Sequence, residues 1–317
     1  MRILLWHVHG SWTTAFVQGD HTYLLPVLPG RGPDGRGRAR TWQWPENAVE
    51  VTPSQAAEED VDVVILQRPH ELDRLARYWL GGRVPGRDVP AVYLEHNAPQ
   101  GRIAEMRHPA ADRRDLVLCH VTHFNALFWD AGFTSTRVIE HGIIDPGARY
   151  TGELPRAAAV INEARRRMRV TGTDLLDGFG RGGVPIDLFG MDAGAIGPPV
   201  TGIDDVPQHR LHDEMARRRV YLHPIRWTSL GLSLIEAMQL GMPVVALATT
   251  EAPEAVPAQA GVVSTRVDVL AAAAREFLRD PGLARETGRE ARRAALERYG
   301  LQRFLHDWDE LLEEVVA

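Results

Sequence analysis

Residues 220–256 read VYLHPIRWTSLGLSLIEAMQLGMPVVALATTEAPEAV, and few folds accommodate that pattern. The apolar run 220–222 reads as a strand. A polar loop with Arg226, Trp227, Thr228 and Ser229 follows. Leu230, Leu234, Ile235, Met238 and Leu240 then recur at helical spacing, and Gly241 stops the helix. Pro243 opens a second apolar run, 244–247, which reads as a strand buried on both faces. Strand, helix and strand in that order predict an α/β fold.

The start of such a helix is an anion site. Its first turn carries free backbone N–H groups and a partial positive charge. Thr228 or Ser229 can cap it, and Gly231 lets a ligand come close to the backbone. Glu236 follows about a turn and a half in, where a carboxylate can hold sugar hydroxyls. Phosphate at the helix tip and ribose on Glu236 would together be one nucleotide. A buried helix with Glu236 turned to solvent is the other reading.

The segment GLSLIEAMQLGMPVVA resembles the donor-site motif of GT-B glycosyltransferases, in particular glycosyltransferase family 4. That motif has two glutamates separated by seven residues, then Ala-Met, Gly and Pro-Val-Val-Ala. The resemblance implies that Glu236, as the second glutamate, holds the nucleotide ribose. The first glutamate contacts the transferred sugar and falls here on Thr228. The residues between include Ser229, Leu230 and Gly231, which the resemblance places beside the donor. The family's paired glycines after the next strand are replaced by TTEAPEAV. Glu251 is expected to move into the sugar site in place of the lost carboxylate, and an unusual donor sugar is expected with it.

Composition narrows the chemistry. The 317-residue chain is long enough for two domains and carries a formal charge of −6, so no basic surface argues for nucleic acid. All 36 basic residues counted as Lys or Arg are arginine, which excludes a lysine Schiff base or a P-loop lysine. Cys119, alone of its kind, lies in the apolar run LVLCHV and reads as a buried structural thiol. The opening MRILLWHVHG is too short for a signal sequence, and no stretch reaches the ~20 apolar residues of a membrane helix. A cytoplasmic protein without a transmembrane segment is expected.

The first domain, residues 1–150, reads as Rossmann-like. Its opening strand feeds a loop and helix containing Gly10, Ser11, Trp12 and Thr13, which are acceptor or phosphate contacts or else an ordinary strand–helix turn. Residues 30–40, GRGPDGRGRAR, read as a mobile, solvated loop. Trp42 and Trp44 have the spacing of one strand face. Strands are expected at 61–66, 90–94, 116–121 and 137–140. His96 lies just beyond one of them, where the resemblance places a histidine near the donor sugar, and is a catalytic candidate. His141 stands where the family has an asparagine before the interdomain linker.

The second domain, residues 151–317, opens with a strand at 157–161 and NEARRRMRVTGTDLL. In the family an arginine and a lysine here neutralise the donor diphosphate. Arg166 matches the arginine, the lysine falls on Thr171, and Arg169 is positioned to supply the second charge. Helices are expected at 268–278 and 281–299, with Gly288 a weak point in the second. A terminal amphipathic helix at 304–315 is expected to pack on the first domain. Asp307 and Asp309 face different ways on that helix and form no metal site.

The resemblance therefore implies an α/β, GT-B protein: two Rossmann-like domains facing across a cleft. It implies a retaining glycosyltransferase that moves a sugar from a nucleoside diphosphate sugar to an acceptor hydroxyl on a small metabolite, natural product or glycolipid. No metal or other cofactor is expected. A catalytically silent nucleotide-sugar-binding protein and a sugar-nucleotide epimerase remain as alternatives. The nucleobase, the sugar, the acceptor and the oligomeric state are left open.

Overall fold

A computed structural model describes all 317 residues. The chain divides into two compact units, residues 1–143 with 301–317, and residues 144–300. The expected division at residue 150 thus falls at 143/144, and the last segment belongs with the first unit.

The first unit runs β1 (Arg2–Leu5), α1 (Gly10–Phe16), β2 (Thr22–Pro26), β3 (Ala48–Val51), α2 (Pro53–Glu58), β4 (Val63–Leu66), α3 (Arg74–Trp79), β5 (Ala91–Glu95), β6 (Val117–His120), α4 (His123–Phe128) and β7 (Ser135–Val138). Its seven strands lie in the order 3-2-1-4-5-6-7 and all pair in parallel. Alternate residues of β1 feed opposite faces, as a period of two requires. Ile3 and Leu5 pack with Trp12, Phe16, Val63 and Ile65. Leu4 and Trp6 pack with Leu24, Val64, Leu66 and Trp79.

The second unit runs β8 (Leu154–Val160), α5 (Ala164–Arg167), α6 (Thr173–Arg181), β9 (Ile186–Gly190), β10 (Val200–Asp204), α7 (Gln208–Arg217), β11 (Arg218–His223), α8 (Leu232–Leu240), β12 (Val244–Leu247), α9 (Ala252–Ala255), β13 (Gly261–Ser264), α10 (Val267–Arg279) and α11 (Pro281–Tyr299). Its parallel strand order, 10-9-8-11-12-13, repeats the first six strands of the other sheet. In both sheets the order reverses beside the first strand, at β1/β4 and at β8/β11. Ligands in such sheets bind beyond the carboxyl ends of the strands at that reversal. The final helix, α12 (Leu301–Val316), returns to the first unit. There Phe304, Trp308, Leu311 and Leu312 close one face of the core.

Several local expectations change. Residues 30–40 are fastened. Arg31 forks onto Glu50 at 2.7 and 3.0 Å, and Arg38 reaches the carbonyls of Trp44, Pro45 and Ala48. Trp42 and Trp44 lie outside any strand; Trp44 is buried and donates to Thr14 Oγ1 at 2.9 Å. Between β4 and β5 the chain forms a 3-10 turn, Pro69–Glu71, before α3. Strands β2, β3 and β10 had no signal strong enough to stand out.

Gly288 is no weak point. A Cβ there would lie 2.0 Å from the Gly241 carbonyl oxygen, so α11 meets the end of α8 backbone to backbone. Helix propensity alone would make Gly288→Ala stabilising by about 1 kcal/mol. The clash decides otherwise: Gly288→Ala is expected to destabilise the second unit by roughly 1–3 kcal/mol, read by calorimetric unfolding. A raised melting temperature would refute the contact.

Candidate functional site

Beyond β8 and β11 two loops are joined into one body. Gly172 sits at φ +70°, and a Cβ on it would lie 1.8 Å from the Pro224 carbonyl oxygen. The Val170 carbonyl accepts from both Arg226 N and Trp227 N at 3.0 Å. The Arg226 guanidinium forks onto Asp174 at 2.5 and 2.9 Å and also donates to the Arg169 carbonyl at 2.9 Å. Thr249 Oγ1 donates to the Ile225 carbonyl at 2.6 Å, tying in the loop after β12. Arg169 reaches the same loop body, with its guanidinium 3.5 Å from Asp174. Arg166 is exposed on α5 and forks onto Glu163, three residues earlier. Thr171, at the family lysine position, is buried and shares a hydrogen bond with Thr173.

Helix α8 begins at Leu232 with Gly231 as its N-cap, and no side chain caps it. Thr228 and Ser229 therefore lie in the loop ahead of the helix, and the expected cap is absent. Leu230 is buried with the core. The space beside Gly231 is taken by His223, whose Cε1 would lie 2.8 Å from a Cβ at that position. Burial pushes the His223 imidazole down to about 4, so it is neutral there.

Glu236 does not face solvent. It is 7% exposed, in the second turn of α8. Gln208 Nε2 donates to one carboxylate oxygen at 3.2 Å and to His212 Nε2 at 2.9 Å. The second oxygen lies 3.7 Å from His212 Nε2. Glu251 is 1% exposed, with its carboxylate 3.3 Å from Arg298 on α11. The expected move of Glu251 into a sugar site would break that contact.

In the first unit, histidines gather beyond the carboxyl ends. His96 Nε2 donates to Gln67 Oε1 at 3.0 Å, and Gln67 Nε2 in turn donates to the Trp6 carbonyl at 2.8 Å. The His9 and His96 rings lie 3.9 Å apart. Burial pushes His96 well below the ordinary histidine range, His9 to about 4 and His141 to about 3. His96 is thus a fixed, neutral group. Trp12 and Thr13 drop out as acceptor contacts. Trp12 packs among Phe16, Phe304 and Trp308, and buried Thr13 donates back to the His9 carbonyl. Gly10 and Ser11 remain partly exposed at the start of α1.

Residues 196–294 match the family model for glycosyl transferases group 1. This segment holds Thr228, Glu236 and Glu251 but not Arg166 or Arg169. No curated protein sequence matches the chain. Among solved structures, the sucrose-phosphate synthase of Thermosynechococcus elongatus is 14% identical, with 99% of this chain and 98% of that one covered at a TM-score of 0.73. Anabaena Alr3699/HepE, crystallised in complex with UDP, is 14% identical, with 99% and 100% covered at 0.72. AviGT4, a glycosyltransferase involved in avilamycin A biosynthesis, is 16% identical, with 100% and 98% covered at 0.65. The fold is GT-B. A glycosyl transferases group 1 domain within that fold makes the chain a glycosyltransferase-type enzyme.

Gln208, His212 and Arg226 are the residues that sequence reasoning passed over. Arg226 had a signal, being the one cation in the loop that precedes α8. Gln208 and His212 had none, because only the packing of α7 on α8 brings them to Glu236.

The neutral histidines carry a pH signature. The unfolded chain protonates each near pH 6.5, whereas the folded forms of His9 and His120 resist to about 4 and that of His141 to about 3. Their contribution is intact above pH 6.5 and falls as the pH drops toward those values, by roughly 1.4 kcal/mol per pH unit for each histidine. Burial raises the Glu71 carboxyl, which opposes the trend as a single group. Seven of the eight tryptophans lie in the first unit, so tryptophan fluorescence reports on it. Urea midpoints are expected to fall between pH 7.5 and pH 5.5. Equal midpoints would contradict the burial of neutral imidazoles.

Proposed function

We propose that this GT-B enzyme transfers a glycosyl group from a nucleoside diphosphate sugar to an acceptor hydroxyl, with retention of configuration. The observation that carries the reading is Glu236. It is a buried carboxylate in the second turn of the helix that follows the strand-order reversal, within the segment that matches the family model. The UDP complex of the Anabaena relative supports a uridine diphosphate donor as the first to test.

In this reading the carboxylate of Glu236 accepts hydrogen bonds from the two ribose hydroxyls, with Gln208 holding it in place. The diphosphate lies by the joined loops, where Arg169 and Arg226 meet it. Asp174 keeps the Arg226 guanidinium oriented, with Arg169 at the edge of its reach, until phosphate oxygens compete for them. Arg166 contributes once released from Glu163. As the glycosidic bond breaks, negative charge grows on the leaving diphosphate, and these guanidiniums stabilise it. The departing phosphate takes the acceptor proton on the same face, which preserves the anomeric configuration. His96, neutral and fixed through Gln67, offers a hydrogen bond without adding charge. The acceptor is a small metabolite, natural product or glycolipid, and the protein acts in the cytoplasm. No helix is long and apolar enough to cross a membrane.

A second reading has a specific observation behind it. Thr228 stands where the motif carries its sugar-contacting glutamate, and Glu251 is held by Arg298. A donor-binding relative without transfer activity fits both facts. Donor consumption coupled to a glycosylated product separates the two.

Glu236→Ala is expected to weaken UDP binding about tenfold to a hundredfold in calorimetry, as loss of charge-assisted hydrogen bonds implies. Unchanged affinity would remove the nucleotide assignment. Arg226→Gln is expected to lower kcat more than it raises KM, because its charge matters most as the diphosphate leaves. A pure KM effect would confine Arg226 to ground-state binding.

A further inference from the structure

We propose that the first unit carries a second anion site, specific for phosphoryl groups, at the amino-terminal ends of β5 and β6. A cavity of about 710 Å³ opens there, lined among others by Arg74, Arg77, Arg87, Arg113, Arg114 and Asp115. It adjoins the residues just before Ala91 and Val117, the first residues of the two strands. The histidine cluster lies at the opposite strand ends, roughly 15 Å away along a five-residue strand. The cavity is therefore separate from the residues assigned to catalysis, and the inference stands whether or not the donor reading holds.

The charges of the cavity divide into those already used and those left over. Arg113 is used: it forks onto Asp115 at 2.6 and 2.8 Å and donates to the Pro85 carbonyl at 3.1 Å. Asp112 is likewise engaged by Arg107 at 2.7 Å. Arg77 donates its Nε to the Gly82 carbonyl, which leaves its terminal nitrogens unused. Arg74 and Arg87 line the cavity with no hydrogen-bond or ion-pair partner. Against these stand two carboxylates, Asp73, which acts electrostatically on Arg113, and Asp115, which Arg113 grips and Arg87 also faces.

Three guanidiniums with open donors around one concavity suit a group with several anionic oxygens. A carboxylate has two such oxygens, whereas a phosphoryl group presents three and spans more of the donors. The walls are held in place, since Arg113 ties the loop before β6 to the loop before β5, and Val84 N donates to Asp88 at 2.7 Å. The site therefore loses little freedom on binding. At its rim the Arg114 guanidinium lies 5.0 Å over the ring of Phe133, which is 73% exposed. An exposed aromatic beside a phosphate pocket suits a phospholipid headgroup as well as a free phosphorylated metabolite.

The experiment titrates inorganic pyrophosphate into the full chain by calorimetry, using wild type, R74Q/R87Q and, as a charge-matched control on α11, R285Q/R289Q. All four positions are exposed, so the folds should be unaffected, as circular dichroism would verify. The expected result is a pyrophosphate site weakened at least tenfold in R74Q/R87Q and unchanged in R285Q/R289Q. Pyrophosphate held by the second unit would survive both exchanges and so be told apart. Co-sedimentation with phosphatidylglycerol vesicles, against phosphatidylcholine vesicles, separates the sources. Arg74- and Arg87-dependent capture by the anionic vesicles assigns a lipid headgroup, and pyrophosphate binding without capture assigns a soluble phosphate. Identical pyrophosphate isotherms for wild type and R74Q/R87Q would overturn the site.

Discussion

A carbonyl oxygen of Pro224 occupies the place where a side chain at position 172 would begin. The rest of the second unit's candidate site depends on that contact. Because residue 172 is glycine at φ +70°, the chain after β8 turns tightly enough to lie against the chain after β11. The Val170 carbonyl then receives two backbone donors, and Arg226 comes within reach of Asp174. The Arg226 guanidinium is held by these bonds before any ligand arrives, while that of Arg169, largely exposed, lies 3.5 Å from the same carboxylate. A phosphate that binds Arg226 recovers more of its interaction energy, because less side-chain freedom remains to be lost.

How much of this could be read from residues alone follows from burial. Interior strands such as VVIL (β4) and VVAL (β12) are buried at every position and announce themselves as apolar runs. The edge strands β3 and β10 interleave polar residues and present no such run, whereas β2 presents a short one that Pro26 interrupts. The donor helix and its glutamate were legible because spacing and motif coincide there. Trp12 and Thr13 misled for a related reason. A loop position beside a strand end invites a ligand reading, but α1 starts already at Gly10 and turns both side chains into the core. Gly288 was misread because helix propensity describes an isolated helix, and the decisive neighbour, Gly241, is 47 residues away in sequence.

The two units present opposite electrostatic characters at their strand ends. In the first, imidazoles are buried without carboxylate partners within the His9, His96 and His141 group, and desolvation keeps them uncharged. In the second, Arg166, Arg169 and Arg226 each hold a carboxylate that is at least partly exposed, so each remains a cation able to exchange partners. A diphosphate is suited to the second environment and an uncharged hydroxyl to the first. The proposed division of donor and acceptor between the units follows from that contrast.

The same reasoning bears on the missing sugar-contacting glutamate. Moving Glu251 toward a ligand would break its contact with Arg298, whose side chain is 30% exposed and keeps the Glu254 carbonyl and the Tyr299 ring as partners. Glu251 lies buried in the structure beside Arg298, and the group at the motif position is the hydroxyl of Thr228. A hydroxyl donates as well as accepts, whereas a carboxylate only accepts. Under the proposed donor reading, that exchange changes what position 228 asks of the sugar from donors alone to donors or acceptors.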